Sequence, residues 1–521
     1  MSEAPAKGKE ETKTKREPKR IAPPPPLPLR TDRRLAARNV RRVRFFARRR
    51  LLPASFLALA FLLPAGSVGA AAATLARPAP GVAASVAFAP IAGGSPAIAL
   101  DENRLLPPAS VAKIVTTAAA LDLLGPGHRF VTRLWADGPL QDGRLEGNLY
   151  LSGEGDPFLV HERLWLLAHE AAAATGLREV AGDLVVHAPI VLDLQEGRSA
   201  ENTDSPYAAP VSILAVDFNN LFLRIRAGSR DGAPAEVFLD PFPIPGVAVD
   251  AAVTTSGSGR GEPVAVSRRR DPAGGEVWVV RGSVGMAGPP GGGVYRSCSD
   301  PAMLAGGILR GLLAQNGVSS SGSIRGGAPP VDARVLAEMS SLPLGEIVRS
   351  VNGYSNNLMA DLLLVDIGEQ GSAAAGSARV AAWFAEAVPA SPAPRLVDGS
   401  GLSVENRISA AQLVALLQWA AAKERVFPDL YASLPRPGDE GTLERRFREG
   451  RAPSLRAKTG TLGDSGVSSI AGYLDHPDGT RWAFAILQQA SPSANLSIAD
   501  LRKAEEAWIG QFLAMPADER R

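Results

Sequence analysis

Hydrophobic and polar positions follow a helical spacing near both ends of the chain and a strand-like pattern in the middle. Residues 110–125 are apolar almost all round, which predicts a buried helix that Gly125 and Pro126 end. Asp300 can cap a second helix, with Pro301 at the favoured first position. Further helices are predicted near 344–351, 357–368, 373–388, 409–424 and 496–514, and strands within 84–100 and in the runs LRAKTG, GVSSIAGYL and RWAFAILQQ.

The middle of the chain has a different pattern. Between residues 128 and 290, short β-like runs are separated by Gly, Pro and Asp turns, with one helix predicted near 162–175. Because helices combined with strands occur on both sides, the chain is expected to leave one module and return to it. The predicted fold class is α/β, of the α+β type. One domain comprises residues 77–127 and 294–521, and the mostly β inserted region, residues 128–293, is long enough for two subdomains.

The first 76 residues have the order of an export signal. Residues 1–50 are basic and Pro-rich, so we expect a disordered cytoplasmic tail. Residues 51–66 are uncharged and apolar, and small residues follow. We expect residues 51–76 to be a signal peptide or, if uncleaved, a membrane anchor, with the remainder in the periplasm or cell envelope. The alternative is a buried core helix with a basic neighbour.

Charge and cysteine content narrow the functional classes. Residues 1–50 hold 17 Lys and Arg and five Asp and Glu, which leaves 39 basic and 48 acidic residues in the rest of the chain. The expected folded part is therefore acidic and offers no evident basic face for nucleic acid. Cys298 is the only cysteine, so an intramolecular disulfide is impossible, and no pattern supports it as a catalytic thiol.

The first candidate motif is Ser110-Val111-Ala112-Lys113, at the start of the apolar helix. Three residues of spacing place Ser110 and Lys113 on one helix face. A serine hydroxyl needs a base to become a nucleophile, and lysine can be that base only if it is partly neutral. Burial would lower the pKa of Lys113, and a nearby cation such as Lys458 would lower it further. The alternative is an N-cap serine with a solvated lysine.

Two further motifs follow in the chain. Ser355 and Asn357 flank the start of a predicted helix, where serine can relay a proton and asparagine can orient an amide or the lysine. The alternative is ordinary helix capping.

The third motif, Lys458-Thr459-Gly460, lies at the end of a predicted strand. If that strand borders a cleft, Lys458 and Thr459 would bind a substrate carboxylate and Gly460 would allow close approach of a substrate backbone. An ordinary exposed strand end is the alternative. The backbone N–H groups of Thr461 and Ser110 could form an oxyanion hole.

Together, the three motifs resemble the signature of the penicillin-recognising serine enzymes, the D,D-peptidases and serine β-lactamases. The details are similar to one branch, the low-molecular-mass D-alanyl-D-alanine carboxypeptidase/endopeptidases with a large insertion between the first two motifs. Here 241 residues separate Lys113 from Ser355. Further stretches that resemble this branch lie at 148–159, 205–220, 355–363, 397–409, 433–447 and 456–474.

The resemblance implies a mechanism and its partners. Ser110 would be acylated by the penultimate D-Ala of a peptidoglycan stem peptide, or by a β-lactam antibiotic, with Lys113 as base. Ser355 and Asn357 would shuttle the proton and orient the substrate, and Lys458 with Thr459 would hold the terminal carboxylate. Water would release the acyl group. No cofactor is implied, and the five histidines lack zinc-ligand spacing.

Two departures from that branch concern selectivity. Its members usually carry an acidic residue in the strand GDLVVHAPI that binds the free amine of diaminopimelate, where this chain has His187. A neutral imidazole would not pair with an ammonium group as a carboxylate does. The turn Gly463-Asp464-Ser465 is slightly lengthened and is expected beside the cleft.

Two other functions fit the same motifs. A serine β-lactamase would need a base that deacylates the penicilloyl ester, and no such signal is seen. A non-catalytic peptidoglycan-binding envelope protein would be expected to have degenerate motifs, whereas all three are intact here.

Overall fold

The computed structural model describes residues 75–520, except for 193–203, 258–262, 272–274, 287–291, 370, 390 and 449–453. The predicted tail, residues 1–50, and all but the last two residues of the predicted signal or anchor, residues 51–76, lie outside the described residues. Within the described part of the chain, no helix has the length and apolar character needed to cross a membrane.

The chain first forms two strands and the helix that carries the first motif. The elements are β1 (Val82–Pro90), β2 (Ile98–Leu100), a single 3-10 turn (Ala109–Val111) and α1 (Ala112–Leu123). The predicted buried helix is confirmed, because every residue from Val111 to Leu121 is buried. Only its first turn differs, since Ser110 lies in the 3-10 turn and not in the α-helix.

The next elements, from residue 131 to residue 340, are mostly strands. They are β3 (Val131–Ala136), β4 (Leu140–Gln141), β5 (Arg144–Leu145), β6 (Leu149–Gly153), α2 (His161–Thr175), β7 (Glu179–Val180), β8 (Leu184–His187), β9 (Ile190–Leu192), β10 (Val211–Ser212), β11 (Asn220–Arg226), β12 (Glu236–Asp240), β13 (Val247–Ser256), β14 (Ala265–Arg270), β15 (Glu276–Gly285), β16 (Gly293–Ser297), α3 (Pro301–Gln315), β17 (Ser319–Ser320), β18 (Ile324–Gly326) and β19 (Arg334–Ser340). The predicted strand-rich character and the helix near 162–175 are confirmed.

The strand-rich part of the chain has its own buried core, which includes residues after position 293. Its largest sheet has the strand order β18-β8-β6-β3-β19. Helix α3 packs against α2, β8 and β18, and its apolar residues belong to the same buried cluster as Leu134 and Trp278. Strand β19 pairs antiparallel with β3. Helix α3 and strand β19 therefore pack with the strand-rich part of the chain, although the helical pattern of α3 resembles that of the flanking segments.

The last part of the chain is helical, followed by three strands and a final helix. Its elements are α4 (Leu344–Gly353), α5 (Asn357–Ile367), α6 (Ala373–Ala387), α7 (Ala410–Ala421), α8 (Phe427–Ser433), β20 (Leu455–Leu462), β21 (Val467–Asp475), β22 (Arg481–Ala490) and α9 (Ile498–Ala514). The predicted cap at Asp300 is confirmed, because its side chain accepts a hydrogen bond from the Met303 N–H. Helix α7 begins with a capping box formed by Ser409 and Gln412. The short helix α8 was not predicted.

Both ends of the described chain meet in one antiparallel sheet of order β2-β1-β22-β21-β20. Successive residues of each strand face opposite sides. In β1, Ala87 and Ala89 join a core with α1 and α4–α8, whereas Val86 and Phe88 join a second core with α9. Strand β20 lies at the sheet edge, and the 3-10 turn with Ser110 packs on it.

Candidate active site

Ser110 lies in a tightly held segment between the sheet and the loop that follows α6. The Ser469 hydroxyl of β21 donates a hydrogen bond of 2.6 Å to the Pro108 carbonyl. Ala109, directly before Ser110, has a φ of 48°, a conformation that L-residues rarely adopt. On the other side, a Cβ at Gly401 would clash with the Ala109 carbonyl. These contacts hold the backbone around Ser110 in a strained conformation, as is common at functional sites.

Lys113 lies fully buried beside Ser110, with three acceptors around its amine. Its Nζ is 3.0 Å from Ser110 Oγ, 2.8 Å from Asn357 Oδ1 and 2.7 Å from the Ser400 carbonyl oxygen. An ammonium group has three N–H donors, one for each acceptor. A neutral amine can keep the bonds to Asn357 and Ser400 and accept a hydrogen bond from the Ser110 hydroxyl. The geometry therefore fits a lysine that takes the serine proton.

Burial and neighbouring charges both act on Lys113. Burial lowers the pKa of Lys113 to about 8, as expected, and the charges of Asp361 and Asp398 oppose this effect. Burial and the charge of Lys113 lower the pKa of Lys458 well below its usual value, so the two amines repel each other.

The second motif lies between α4 and α5. Asn356 caps α5 by accepting a hydrogen bond from the Met359 N–H, so Ser355 and Asn357 are not needed for that task. Asn357 bridges two parts of the molecule, because its Oδ1 accepts from Lys113 and its Nδ2 donates to the Tyr207 carbonyl at 3.0 Å. Ser355 is half-buried, with a φ of 60°.

The third motif alternates between the two faces of β20. Lys458 is fully buried and its Nζ donates to its neighbour's carbonyl, that of Thr459, at 2.7 Å. Thr459 and Thr461 share the opposite face, where Thr461 Oγ1 accepts from Arg502 of α9. The N–H of Ala457 points away from β21 and donates to the Pro435 carbonyl. Because every second N–H of a strand points to the same side, the Thr461 N–H also lies on the edge of β20 that faces away from β21.

Gly460 packs against the segment that carries Ser110. A Cβ at Gly460 would lie 2.7 Å from the Pro108 carbonyl oxygen and 2.9 Å from Ala109 Cβ, and it would clash with Ser469 Oγ. The absence of a side chain at Gly460 therefore allows the segment carrying Ser110 to pack closely on β20.

A cleft of about 1060 Å³ opens above these residues. Four residues of the predicted site line it: Ser110, Ser355, Asn357 and Thr461. The inserted region contributes a second group to the wall, which comprises Pro206, Tyr207, Asp217, Phe218, Asn220 and Tyr295. The structure thus brings the three motifs together, with Lys113 and Lys458 buried at the base.

Two residues of this network were not singled out from the sequence. Asp361 is fully buried in α5, and its Oδ1 accepts from the Gly399 and Ser400 N–H groups, both at 2.8 Å. Asp398 is also buried, and it accepts from the Gly401 N–H at 2.6 Å. A lone aspartate in the apolar run NLMADLLL was a signal that could have pointed to Asp361.

The remaining expectations fall around the cleft. The turn Gly463-Asp464-Ser465 lines it, as expected. His187 is the last residue of β8 and is half-buried. Cys298 is buried in the core of the inserted region, and burial raises the pKa of its thiol, which makes it a poor nucleophile.

One group of side chains near the cleft has ligand types that can hold a metal ion. His161, Glu162 and Asp217 bring one donor atom each within 4.8 Å of one another. His161 Nδ1 lies 2.9 Å from Asp217 Oδ2, and this hydrogen bond raises the pKa of His161. His161 and Asp217 therefore stabilise each other as an ion pair, and this pair requires no metal ion.

Known carboxypeptidases are similar to most of this chain. The chain matches the D-Ala-D-Ala carboxypeptidase 3 (S13) family over residues 68–509. A D-alanyl-D-alanine carboxypeptidase of Actinomadura sp. (strain R39) is 33% identical over 460 residues, which is 82% of either chain. The D-alanyl-D-alanine carboxypeptidase DacB of Haemophilus influenzae is 25% identical over 392 residues, 72% of this chain and 79% of that relative.

A solved structure has the same fold. The crystal structure of penicillin binding protein 4 (dacB) from Haemophilus influenzae aligns with a TM-score of 0.68 at 23% identity, covering 84% of this chain and 97% of the other. The chain therefore belongs to the D-Ala-D-Ala carboxypeptidase 3 (S13) family of serine peptidases.

Proposed function

We propose that this carboxypeptidase cleaves the terminal D-Ala-D-Ala bond of peptidoglycan stem peptides through an acyl-enzyme on Ser110. The observation that carries the proposal is the contact of 3.0 Å between Lys113 Nζ and Ser110 Oγ, with Asn357 and Ser400 holding the other amine hydrogens. This arrangement supplies a nucleophile with an oriented base.

Acylation uses the neutral form of Lys113. The Ser110 hydroxyl gives its proton to Lys113 while its oxygen attacks the carbonyl carbon of the penultimate D-Ala. The N–H groups of Ser110 and Thr461 stabilise the oxyanion. The C–N bond then breaks, and the departing D-Ala amine takes the proton from Lys113, with Ser355 as relay. Water attacks the ester, and Ser110 regains its proton.

Lys458 and Thr459 are proposed to hold the terminal carboxylate of the substrate. Burial and Lys113 lower the pKa of Lys458, which disfavours its ammonium form in the free enzyme. A bound carboxylate acts in the opposite direction, since an opposite charge favours the charged form. Lys458 and Thr459 lie on opposite faces of β20. Because β20 is an edge strand, both residues can reach a substrate bound along that edge.

β-Lactams are proposed to acylate the same serine. A solved structure of the Haemophilus influenzae protein, with a TM-score of 0.65, is a complex with a β-lactam. In this chain, Ser110 lines an open cleft, and the attack on a lactam carbonyl would use the same base and oxyanion donors.

Cleavage of cross-linked peptides is a second proposed activity. A groove of about 1190 Å³ lies beside the cleft and shares the turn Gly463–Ser465 and Val404 with it. A cross-linked substrate has a second peptide arm that continues past the scissile bond, and this groove offers space for it.

Peptidoglycan as substrate implies a place in the cell envelope. We propose that residues 51–76 direct export to the periplasm, as a cleaved signal or as an anchor.

For the domain organisation, we propose that the inserted region runs from residue 128 to about residue 340, since α3 and β19 share its core. The flanking segments are proposed to form the peptidase domain.

The test compares the wild-type chain with Ser110→Ala and, as a matched loss of one hydroxyl, Ser319→Ala in exposed β17. Each is incubated with a stem pentapeptide, a cross-linked muropeptide and fluorescent penicillin, and the products are read by mass. The proposal expects D-Ala release and a penicillin adduct for the wild type and Ser319→Ala, and neither for folded Ser110→Ala. Cleavage of the cross-linked muropeptide would show the endopeptidase activity in addition. A wild-type protein with neither adduct nor turnover would indicate a wall-binding protein instead.

A further inference from the structure

Asp361 is a buried carboxylate that the proposed reaction does not use directly. It lies four residues after Asn357 in α5, so both side chains project from one helix face. Its Oδ1 accepts the two N–H groups of Gly399 and Ser400, whereas its Oδ2 is buried and has no hydrogen-bond partner in the described residues. A charge removed from water in this way is costly unless an opposite charge compensates for it.

The backbone held by Asp361 is the turn that faces Lys113. Asp398 holds the same turn from the other side, accepting from the Gly401 and Ser403 N–H groups at 2.6 Å each. The Thr116 hydroxyl of α1 donates to the Gly399 carbonyl at 2.8 Å. With these bonds made, the Ser400 carbonyl lies 2.7 Å from Lys113 Nζ.

We propose that Asp361 is a positioning residue for the general base, fixing the Ser400 carbonyl against Lys113 and supplying the buried negative charge that stabilises the Lys113 ammonium formed during acylation. The inference rests on the proposed roles of Ser110 and Lys113.

The groups around Lys113 explain why such a charge is needed. The acidic groups that act on Lys113 are Asp361 of α5 and Asp398 of the turn. Lys458 of β20 is a second buried amine, and Ser110 and Asn357 are neutral. Burial raises the pKa of Asp361 to about 8 and the charge of Lys113 lowers it, so the Asp361 carboxylate is favoured when Lys113 is an ammonium. Burial alone would make Lys113 a weak base that cannot hold the serine proton. The carboxylates raise the proton affinity of Lys113, which brings its pKa to about 8, near the working pH of a general base.

The pH dependence of acylation separates this role from a purely structural one. Asp361→Asn keeps an oxygen that can accept the Gly399 and Ser400 N–H groups but removes the charge. Penicillin acylation rates are measured by mass from pH 5 to 10 for the wild type, Asp361→Asn and Glu505→Gln. Glu505 is a matched control, a buried carboxylate in α9 that bonds Ser468 and Arg446 and does not influence Lys113.

The expected result is a shift of the acidic limb of the Asp361→Asn profile to lower pH by about 1 to 3 units, the effect of losing a nearby opposite charge. Glu505→Gln should leave the limb in place. Lower Asp361→Asn rates at every pH with an unmoved limb would overturn the inference, because a purely structural role predicts that pattern.

A second variant keeps the test decisive if Asp361→Asn does not fold. Asp398→Asn should move the limb in the same direction by a smaller amount, since Asp398 affects Lys113 less than Asp361 does. An unmoved limb in folded Asp398→Asn would overturn the charge effect. A wild-type protein that is not acylated at any pH would overturn the proposed function, and the inference with it.

Discussion

The peptidase domain and the inserted region contribute to one cleft in different ways. In the peptidase domain, Lys113 and Lys458 are fully buried, and the three hydrogen-bond acceptors described for Lys113 Nζ lie 2.7 to 3.0 Å away. In the inserted region, Tyr207 and Tyr295 line the cleft with about half of their surface exposed. We therefore propose that the peptidase domain supplies the chemistry through fixed buried contacts, whereas the inserted region supplies an open, aromatic wall.

The two regions also have separate hydrophobic cores. Trp383 of α6 packs in the core of the peptidase domain, and its Nε1 donates to Asp122 of α1, the helix that carries Lys113. Trp278 of β15 is buried in the core of the inserted region. Damage to the first core should therefore reach the chemistry directly, whereas damage to the second should affect mainly the wall of the cleft.

The largest expected effect comes from truncating one tryptophan in each core. Trp278→Ala and Trp383→Ala should each lower the free energy of unfolding by about 3–5 kcal/mol, because a large cavity is left. Only Trp383→Ala should also slow penicillin acylation in the folded protein, since α1 loses a contact. Denaturant unfolding and acylation rates check both. Equal loss of acylation in the two variants would remove the distinction between the regions.

Gly460→Ala tests how precisely the peptidase domain holds Ser110. The added methyl group would contact Pro108 and Ala109 and displace the serine, and we expect acylation to fall by about 100-fold. Gly510→Ala in α9 is the control, because nothing lies within 4 Å of its added Cβ. Acylation at the wild-type rate in Gly460→Ala would show that the close packing does not fix the nucleophile.

The pH dependence of the wild-type enzyme tests the buried lysine itself. Acylation requires neutral Lys113, whose pKa is lowered to about 8, so the rate should rise about tenfold per pH unit below that value and level off above it. The measurement is the acylation rate as a function of pH with a small β-lactam, which makes few contacts with the cleft wall formed by the inserted region. A profile without a rise between pH 6 and 8 would contradict Lys113 as the base.

The smallest expected effect concerns the rim. Asp217 and Asp464 are the charged residues among the described side chains lining the cleft, and Asp217 is paired with His161. Asp464→Asn should reduce the rate for stem peptides with a free side-chain ammonium by about two- to five-fold, as expected for an exposed ion pair. Penicillin acylation should not change. Equal rates for charged and acetylated peptides in the wild type would argue against this contact.

Local sequence patterns were sufficient to predict most elements and the three motifs, because caps, apolar spacing and motif order are encoded within a few residues. Packing between distant segments was not predictable in this way. The pattern of α3 indicates a helix but cannot say which core it joins. The seven-residue helix α8, with Pro428 near its start, gives too short a signal. Gly460 and Asp361 were explained only once Pro108 and the turn at Ser400 were placed beside them.

The assignment of Ser110 as the nucleophile is tested by a peptide map of the protein after brief exposure to penicillin and, separately, to a stem pentapeptide. We expect one acyl adduct, on the peptide containing Ser110, that is long-lived with penicillin and short-lived with the pentapeptide as free D-Ala accumulates. An adduct on another residue, or D-Ala release that persists in folded Ser110→Ala, would contradict this assignment.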